Sequence, residues 1–442
     1  MTASDSPPGP RKLPLLGNTH QWTRGPCDFR EQCAEQYGPV VNYELMGVDA
    51  YMLTDPDEVE RVLTERNQFP KHQATNDLVL GMLGNGLITN SGKEWKQDRE
   101  AIQPAFYMSA IKRYADIMVD RTEERMESWD TTTPLAMKEE MMVLTLDILT
   151  EAMFGPIDLE ARGLYRIVEE LLKPTKTRNQ VIAMVAPDWV PLPFLQRGQN
   201  ALEEINGQIY EIIDSRRNSQ NDADRKELLS MLLATGMSDE RIRDQMLTFI
   251  FAGHRTTALT LTYVWDLLSR NPEAEARLHA ELETVLGGDL PTAEDLSDLE
   301  YTEQVVREVL RLYPPVHEVR REPVSDVVIN GYTIPEGALV VLPTWVMHRD
   351  ERFWDDPTLF RPKRWSNEEP NGRDRPASAY FPFGMGPRHC IGKQFALVEA
   401  QLVVATIAQE YTFERRYDDL AISPGLALQP KHTVELMPQA TN

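Results

Sequence analysis

The run Phe383-Gly384-Met385-Gly386-Pro387-Arg388-His389-Cys390-Ile391-Gly392 constrains this chain more than any other stretch, because it sets one cysteine in a glycine-rich loop just ahead of a helical pattern. Beyond Cys390, the apolar residues Ile391, Phe395, Val398, Leu402 and Ala405 recur at steps of four and three, the period of a helix buried along one face. The spacing predicts that the cysteine stands at that helix's N-terminus. Free backbone N–H groups and the positive end of the macrodipole there favour an anionic sulfur, the form that binds iron. Gly386 and Gly392 are expected to let backbone approach a flat ligand closely, and Arg388 to reach a carboxylate on it. A buried thiol on a glycine-rich turn is the alternative for such a loop.

Phe383, Gly386, Arg388, Cys390 and Gly392 together resemble the F-x-x-G-x-R-x-C-x-G haem-binding signature of the cytochrome P450 superfamily. Glu308-Val309-Leu310-Arg311 lies on an amphipathic stretch from about Tyr301 to Leu312, ended by Pro314 and Pro315, and resembles the family's E-x-x-R pair. Alone, such a pair is usually a solvated ion pair. The resemblance implies a buried pair joined by an arginine from a later loop. Arg364, in Phe360-Arg361-Pro362-Lys363-Arg364-Trp365, is the candidate third member, and the triad would be costly to break. Trp95-Lys96-Gln97-Asp98-Arg99 resembles the family's W-x-x-x-R, which implies that Trp95 and Arg99, one helical turn apart, hold a haem propionate; a surface stack of the two is the alternative. Arg321, with Arg320 beside it, resembles a further propionate contact, the register between the two being open.

The resemblance covers essentially the whole chain. It implies a mainly α protein with a small β region, the P450 fold, and a b-type haem (protoporphyrin IX iron) ligated by Cys390. Residues 1–442 read as a single domain, since no Gly/Ser linker or internal repeat divides them. Strand-like runs are few: Val40 to Met46, Val327 to Ile334 and Ala338 to Leu342. The N-terminus carries neither an apolar run long enough to span a bilayer nor a signal-peptide core, so a soluble, cytoplasmic protein is expected. Pro7-Pro8-Gly9-Pro10 resembles the segment that follows the anchor helix in membrane-bound members; the anchor is missing here, natively or by truncation. Cys27 and Cys33 are expected to be thiols, not a disulfide or a metal pair.

The net charge of −23 arises from 69 acidic against 46 basic residues, and arginine outnumbers lysine. Such a surface disfavours nucleic acid and anionic membrane as partners. It suits high salt, where screening shortens self-repulsion, and points to a halophilic, haloarchaeal source ahead of the alternative, an ordinary acidic cytoplasmic protein.

The pattern departs from the family in a long helix expected from about Asp239 to Arg270, opened by Ser238 and closed by Asn271-Pro272. Its centre, Phe251-Ala252-Gly253-His254-Arg255-Thr256-Thr257, resembles the family's oxygen-binding groove A/G-G-x-D/E-T, with Gly253 as the groove and Thr256 as the alcohol. Arg255 replaces the acid. Arginine stays protonated, so it cannot serve as an acid–base relay. Three roles stand open for it: pairing with an acid elsewhere, binding an anionic substrate, or marking peroxide use, as in fatty-acid peroxygenases of the superfamily that carry arginine there.

The expected activity is monooxygenation of an apolar molecule of the fatty-acid, terpenoid or carotenoid class, because thiolate ligation favours O–O cleavage where histidine favours oxygen carriage. A peroxide-driven peroxygenase is the alternative, and a haem gas sensor or electron carrier a more distant one. Nothing in the chain resembles a flavin or iron–sulfur domain, so a separate ferredoxin or flavodoxin with its reductase is expected to dock on basic residues Arg388, Lys393, Lys96 and Arg99. Substrate-lining candidates fall in Phe69 to Ile88, about Val168 to Val190, and Val316 to Val319, among them Met82, Leu83, Leu87, Met184, Val185, His317 and Glu318.

Overall fold

Two buried faces shape the only large sheet seen among the described residues. Strands Val40–Leu45 and Val48–Leu53 form an antiparallel hairpin, Leu339–Leu342 runs parallel beside the second of these, and Val319–Arg321 closes the sheet antiparallel. Side chains alternate across the pleat. Val40, Tyr51, Leu53, Val340 and Leu342 enter one apolar cluster with Val59, Val62 and Phe381, whereas Val41, Tyr43, Ala50, Met52, Leu339 and Val341 enter another with Phe29 and Cys33. Both faces are covered, so these strands read as continuous apolar runs.

The computed structural model describes residues 6–72, 83–156, 160–173, 190, 192–218, 227–366 and 375–441. Chain packing divides the protein into two compact units, each built from two separated stretches: Met1–Thr75 with Arg307–Cys390, and Asn76–Val306 with Ile391–Asn442. As expected, the protein is mainly helical with a small β component. The Val327 to Ile334 run is not one strand but a hairpin, Val327–Ile329 against Tyr332–Ile334. Asn330 and Gly331, at φ 46° and 82°, make the two-residue left-handed turn that splits it. Cys27 and Cys33 are buried thiols, both pushed up to about 12 by burial.

A polar node stands at the centre of the first unit. The Glu308 carboxylate, on helix Glu300–Leu312, accepts from Arg311 Nε and Nη2 (2.9 and 2.8 Å), Arg364 Nε (2.8 Å), Trp365 Nε1 (2.9 Å) and the Arg361 backbone N–H (3.1 Å). Arg311 is fully buried and directs its remaining donors to the carbonyls of His348, Pro357 and Leu359. Burial alone would raise the Glu308 carboxyl, but the hydrogen bonds and charge of Arg311, with the charge of Arg364, hold it below the usual carboxylate range.

The second unit is organised on helix Asp239–Arg270, whose Ser238 cap accepts from the Arg241 N–H at 3.4 Å. It packs along helix Met137–Phe154. Gly253 makes that approach possible: a Cβ there would lie 2.8 Å from Leu149 Cδ1. Helix Lys393–Glu410 packs on helix Met108–Met126, and the short strands Leu135–Ala136, Glu435–Ala440 and Tyr411–Arg415 form a second small sheet.

Replacing Glu308 by Gln leaves two buried guanidinium groups without their counter-charge. A loss on the order of 3 kcal/mol or more is expected, measured as a lower unfolding midpoint, with a large fraction of the expressed chain insoluble.

Candidate functional site

The signature loop is held from within the first unit. The Cys390 N–H donates to Phe383 O at 2.8 Å, the Gly384 N–H to Phe381 O at 2.9 Å, and the His389 N–H to Gly386 O at 3.1 Å, closing a tight turn around a half-buried Phe383. Cys390 is exposed. It lies two residues before the helix N-cap, Gly392, so it precedes the first turn of helix Lys393–Glu410 instead of entering it. Gly392 has φ −84°, a value any residue adopts. Gly386 does have a backbone requirement: at φ 68°, a Cβ would meet Leu63 O at 2.4 Å and Thr64 Cα at 3.0 Å. Its small size lets the loop seat on the end of helix Pro56–Thr64.

Beside this loop the first unit gathers positive charge. Burial, followed by the charges of Arg388 and Arg321, pushes the Lys71 amine down to about 7. Burial and Arg388 bring Arg321 down to about 10. Arg320 instead pairs with Glu318, so of the two neighbours it is Arg321 that stands in the cationic group. Two arginines with a lysine whose charge they weaken form a basic group that an anion would reinforce, in a protein of net charge −23. The exposed sulfur of Cys390 together with Lys71, Arg321 and Arg388 therefore fits a haem bearing two propionates. Lys71 carries no motif and was not legible in the sequence.

In the second unit, Trp95 and Arg99 lie one turn apart on helix Gly92–Ile102, both buried. Arg99 Nε donates to Gln103 at 3.2 Å. The helix is fixed by Asp98, fully buried, which accepts from Arg241 Nη2 at 2.7 Å and from Asn90 at 2.6 Å.

The middle of the long helix is buried almost all round except at Phe251, Ala252, Gly253 and Thr256. Ala252 and Thr256 are one turn apart, so that opening is a face, and Thr256 Oγ1 donates to Ala252 O at 3.0 Å. Gly253, expected to form the oxygen groove, is required for packing against Leu149. Arg255 has an acid partner: Nη1 donates to Glu169 at 2.8 Å, and Nη2 to Gln429 at 2.6 Å. A second acid escaped the sequence reading. Glu399, on helix Lys393–Glu410, is 1% exposed, and neither carboxyl oxygen makes a hydrogen bond of good geometry among the described residues. Burial, only partly opposed by Thr257, pushes it up to about 8, so it is a neutral carboxylic acid at pH 7.

The cytochrome P450 family model matches residues 7–436. The chain belongs to the cytochrome P450 family. It is 32% identical over 438 residues to cyclooctatin synthase of Streptomyces melanosporofaciens, covering 97% of this chain and 92% of that one. It is 33% identical to cyclooctat-9-en-7-ol 5-monooxygenase of the same organism, covering 91% and 88% of the two chains. Pentalenene oxygenase of Streptomyces avermitilis is 30% identical, with 91% and 90% covered. This P450 is accordingly a haem-iron monooxygenase. Among its described residues no helix is long and apolar enough to cross a membrane.

The structure gives the placement of several expected surface and pocket residues of the P450. Arg99, at 8% exposure, cannot contribute to a docking face, and exposed Lys96 is paired with Glu100. Phe69, Leu83 and Leu87 are buried core residues. Glu318 is buried in ion pairs with Arg30 and Arg320; burial would raise it, but those charges hold it down to about 2. Met82, Met184 and Val185 lie outside the described residues.

Two outcomes follow for the P450. Gly386→Ala forces a side chain into the Leu63 backbone at positive φ, and is expected to lower stability by roughly 1–3 kcal/mol and reduce the haem-to-protein ratio measured after purification. A carboxyl raised in the folded state favours folding below its ordinary value of 4.5, and that advantage is lost as pH rises through about 8. Thermal midpoints taken across this window should fall for the wild type relative to Glu399→Gln, whose amide does not titrate.

Proposed function

We propose that this P450 inserts one atom of dioxygen into a terpenoid, by hydroxylation or epoxidation, using haem b and electrons from a separate ferredoxin or flavodoxin with its reductase, in the cytoplasm. The observation that carries the choice of oxidant is the pairing of Arg255 with Glu169. A peroxide-driven fatty-acid reaction needs that arginine's charge for the substrate carboxylate, and here the charge is already offset inside the protein. The terpenoid class is supported by the relatives, named for cyclooctatin, cyclooctat-9-en-7-ol and pentalenene.

When bound, a haem ligated by the Cys390 thiolate supplies O–O cleavage. Lys71, Arg321 and Arg388 of the first unit would hold its propionates; the W-x-x-x-R pair Trp95 and Arg99 is proposed for the same role on the resemblance alone. Thr256 presents its hydroxyl on the open face of the long helix, bonded to Ala252 O and able to accept from water. Glu399 holds a proton at neutral pH near Thr257, one residue beyond Thr256. That places a protonated acid beside the helix despite the arginine at position 255.

The test is reconstitution. Purified protein with a bacterial ferredoxin, its reductase and NADPH should oxidise at least one member of a panel of terpenoid hydrocarbons and alcohols, whereas hydrogen peroxide alone should give less than about a tenth of that turnover. Equal or faster peroxide turnover would establish the peroxygenase instead. The ferrous–CO complex should show the red-shifted Soret band of thiolate ligation, and Cys390→Ser should lose it.

A further inference from the structure

One donor on the long helix is buried without an acceptor. Arg255 is 9% exposed; its Nη1 is bonded to Glu169 and its Nη2 to Gln429, while its Nε–H meets no acceptor among the described residues. Leaving such a group buried and unmatched is unfavourable, because it has lost its water without gaining an acceptor. The charge of the same side chain is not unmatched, because Glu169 lies 2.8 Å from it. What the guanidinium lacks is a neutral acceptor, not a counter-ion.

The donor is also pre-positioned. Glu169 belongs to helix Ala161–Leu172 and Gln429 to strand Leu428–Pro430, which Tyr263 grips again through a hydrogen bond to Leu428 O at 3.1 Å. Three elements thus fix the plane of the guanidinium, whose fork geometry is rigid. Arg255 directly precedes Thr256, on the stretch of the helix that opens at Phe251 to Gly253 and Thr256.

We propose that Arg255 reads a neutral oxygen on the substrate. A hydroxyl or carbonyl already present on a terpenoid skeleton accepts from the Nε–H, so the preferred substrate is an oxygenated terpenoid and not the parent hydrocarbon or the acid. A carboxylate is disfavoured because its charge would lie near that of Glu169. The inference rests on the terpenoid reading above and adds a place in a reaction sequence: a hydroxylation, or a cyclisation quenched by water, must act first to supply that oxygen.

Abietadiene, abietadienol and abietic acid share one ring skeleton and differ at one carbon. Binding of each to the holoenzyme is measured by calorimetry and by the Soret shift. The alcohol should bind at least about tenfold more tightly than the hydrocarbon, equivalent to about 1.4 kcal/mol, and more tightly than the acid. Arg255→Lys puts a methylene where the Nε–H stands while keeping a cation for Glu169, and should reduce the alcohol-to-hydrocarbon ratio to within about twofold. Glu169→Gln exposes the arginine's charge and should shift preference toward the acid. Equal wild-type affinities for alcohol and hydrocarbon, a wild-type preference for the acid, or a ratio that survives Arg255→Lys would each overturn the proposal. The wild-type comparison needs no substitution and stands if the variants fail to fold. Terpenoid turnover without any alcohol preference would sink this inference alone; failure of all three compounds to bind would remove it together with the terpenoid reading.

Discussion

The five hydrogen bonds accepted by Glu308 are the interaction on which the first unit depends. They join helix Glu300–Leu312 to the chain around Arg361 to Trp365, and Arg311 extends the network to the His348 carbonyl. His348 in turn accepts from the Phe381 N–H through Nε2 at 3.0 Å, and Tyr380 donates to Arg307 O at 3.1 Å. Phe381 and Tyr380 open the loop that ends in Cys390. The loop that carries Cys390 is therefore held by a chain of buried polar bonds that begins at one carboxylate. A buried ion pair adds little net stability over an apolar replacement, but it admits one geometry, and so fixes the course of the chain that leads into this loop.

The parts of the site that follow from short-range rules were legible in the sequence. The long helix was bounded by its Ser238 cap and Asn271-Pro272, and Glu308 with Arg311 by their spacing and the prolines after them. What was not legible depends on contacts distant in sequence. Gly386 looks like a glycine for a cofactor, yet its neighbour is the Leu63 backbone, more than three hundred residues earlier. Gly253 likewise answers to Leu149. Arg255 could be seen to break its family's pattern, but its partners Glu169 and Gln429 sit on elements that no local rule brings to it. Lys71 and Glu399 have no pattern at all; Lys71 is singled out by burial beside Arg388 and Arg321, and Glu399 by burial alone.

Charge is distributed in opposite senses at the surface and inside. The chain is strongly acidic overall, yet its buried ionic groups include Arg30, Arg255, Arg311, Arg321 and Arg364. Arginine suits these places because its planar fork spreads one charge over several hydrogen bonds, whereas a buried ammonium concentrates it. Arg311 satisfies itself on one carboxylate and three carbonyls, whereas Arg255 matches only its two terminal nitrogens, with one carboxylate and one amide.

Each compact unit is stitched from two distant stretches, and this has a consequence for synthesis on the ribosome. The hairpin Val40–Leu45/Val48–Leu53 is made early, but the strand that pairs with its outer edge, Leu339–Leu342, emerges almost three hundred residues later. At roughly 5–20 residues per second, that edge waits on the order of tens of seconds. During that time an apolar strand, Ala50 to Leu53, presents open backbone groups of the kind that recruit other strands. Yield in a heterologous host should therefore track chaperone capacity and translation rate more closely than the stability of the finished fold.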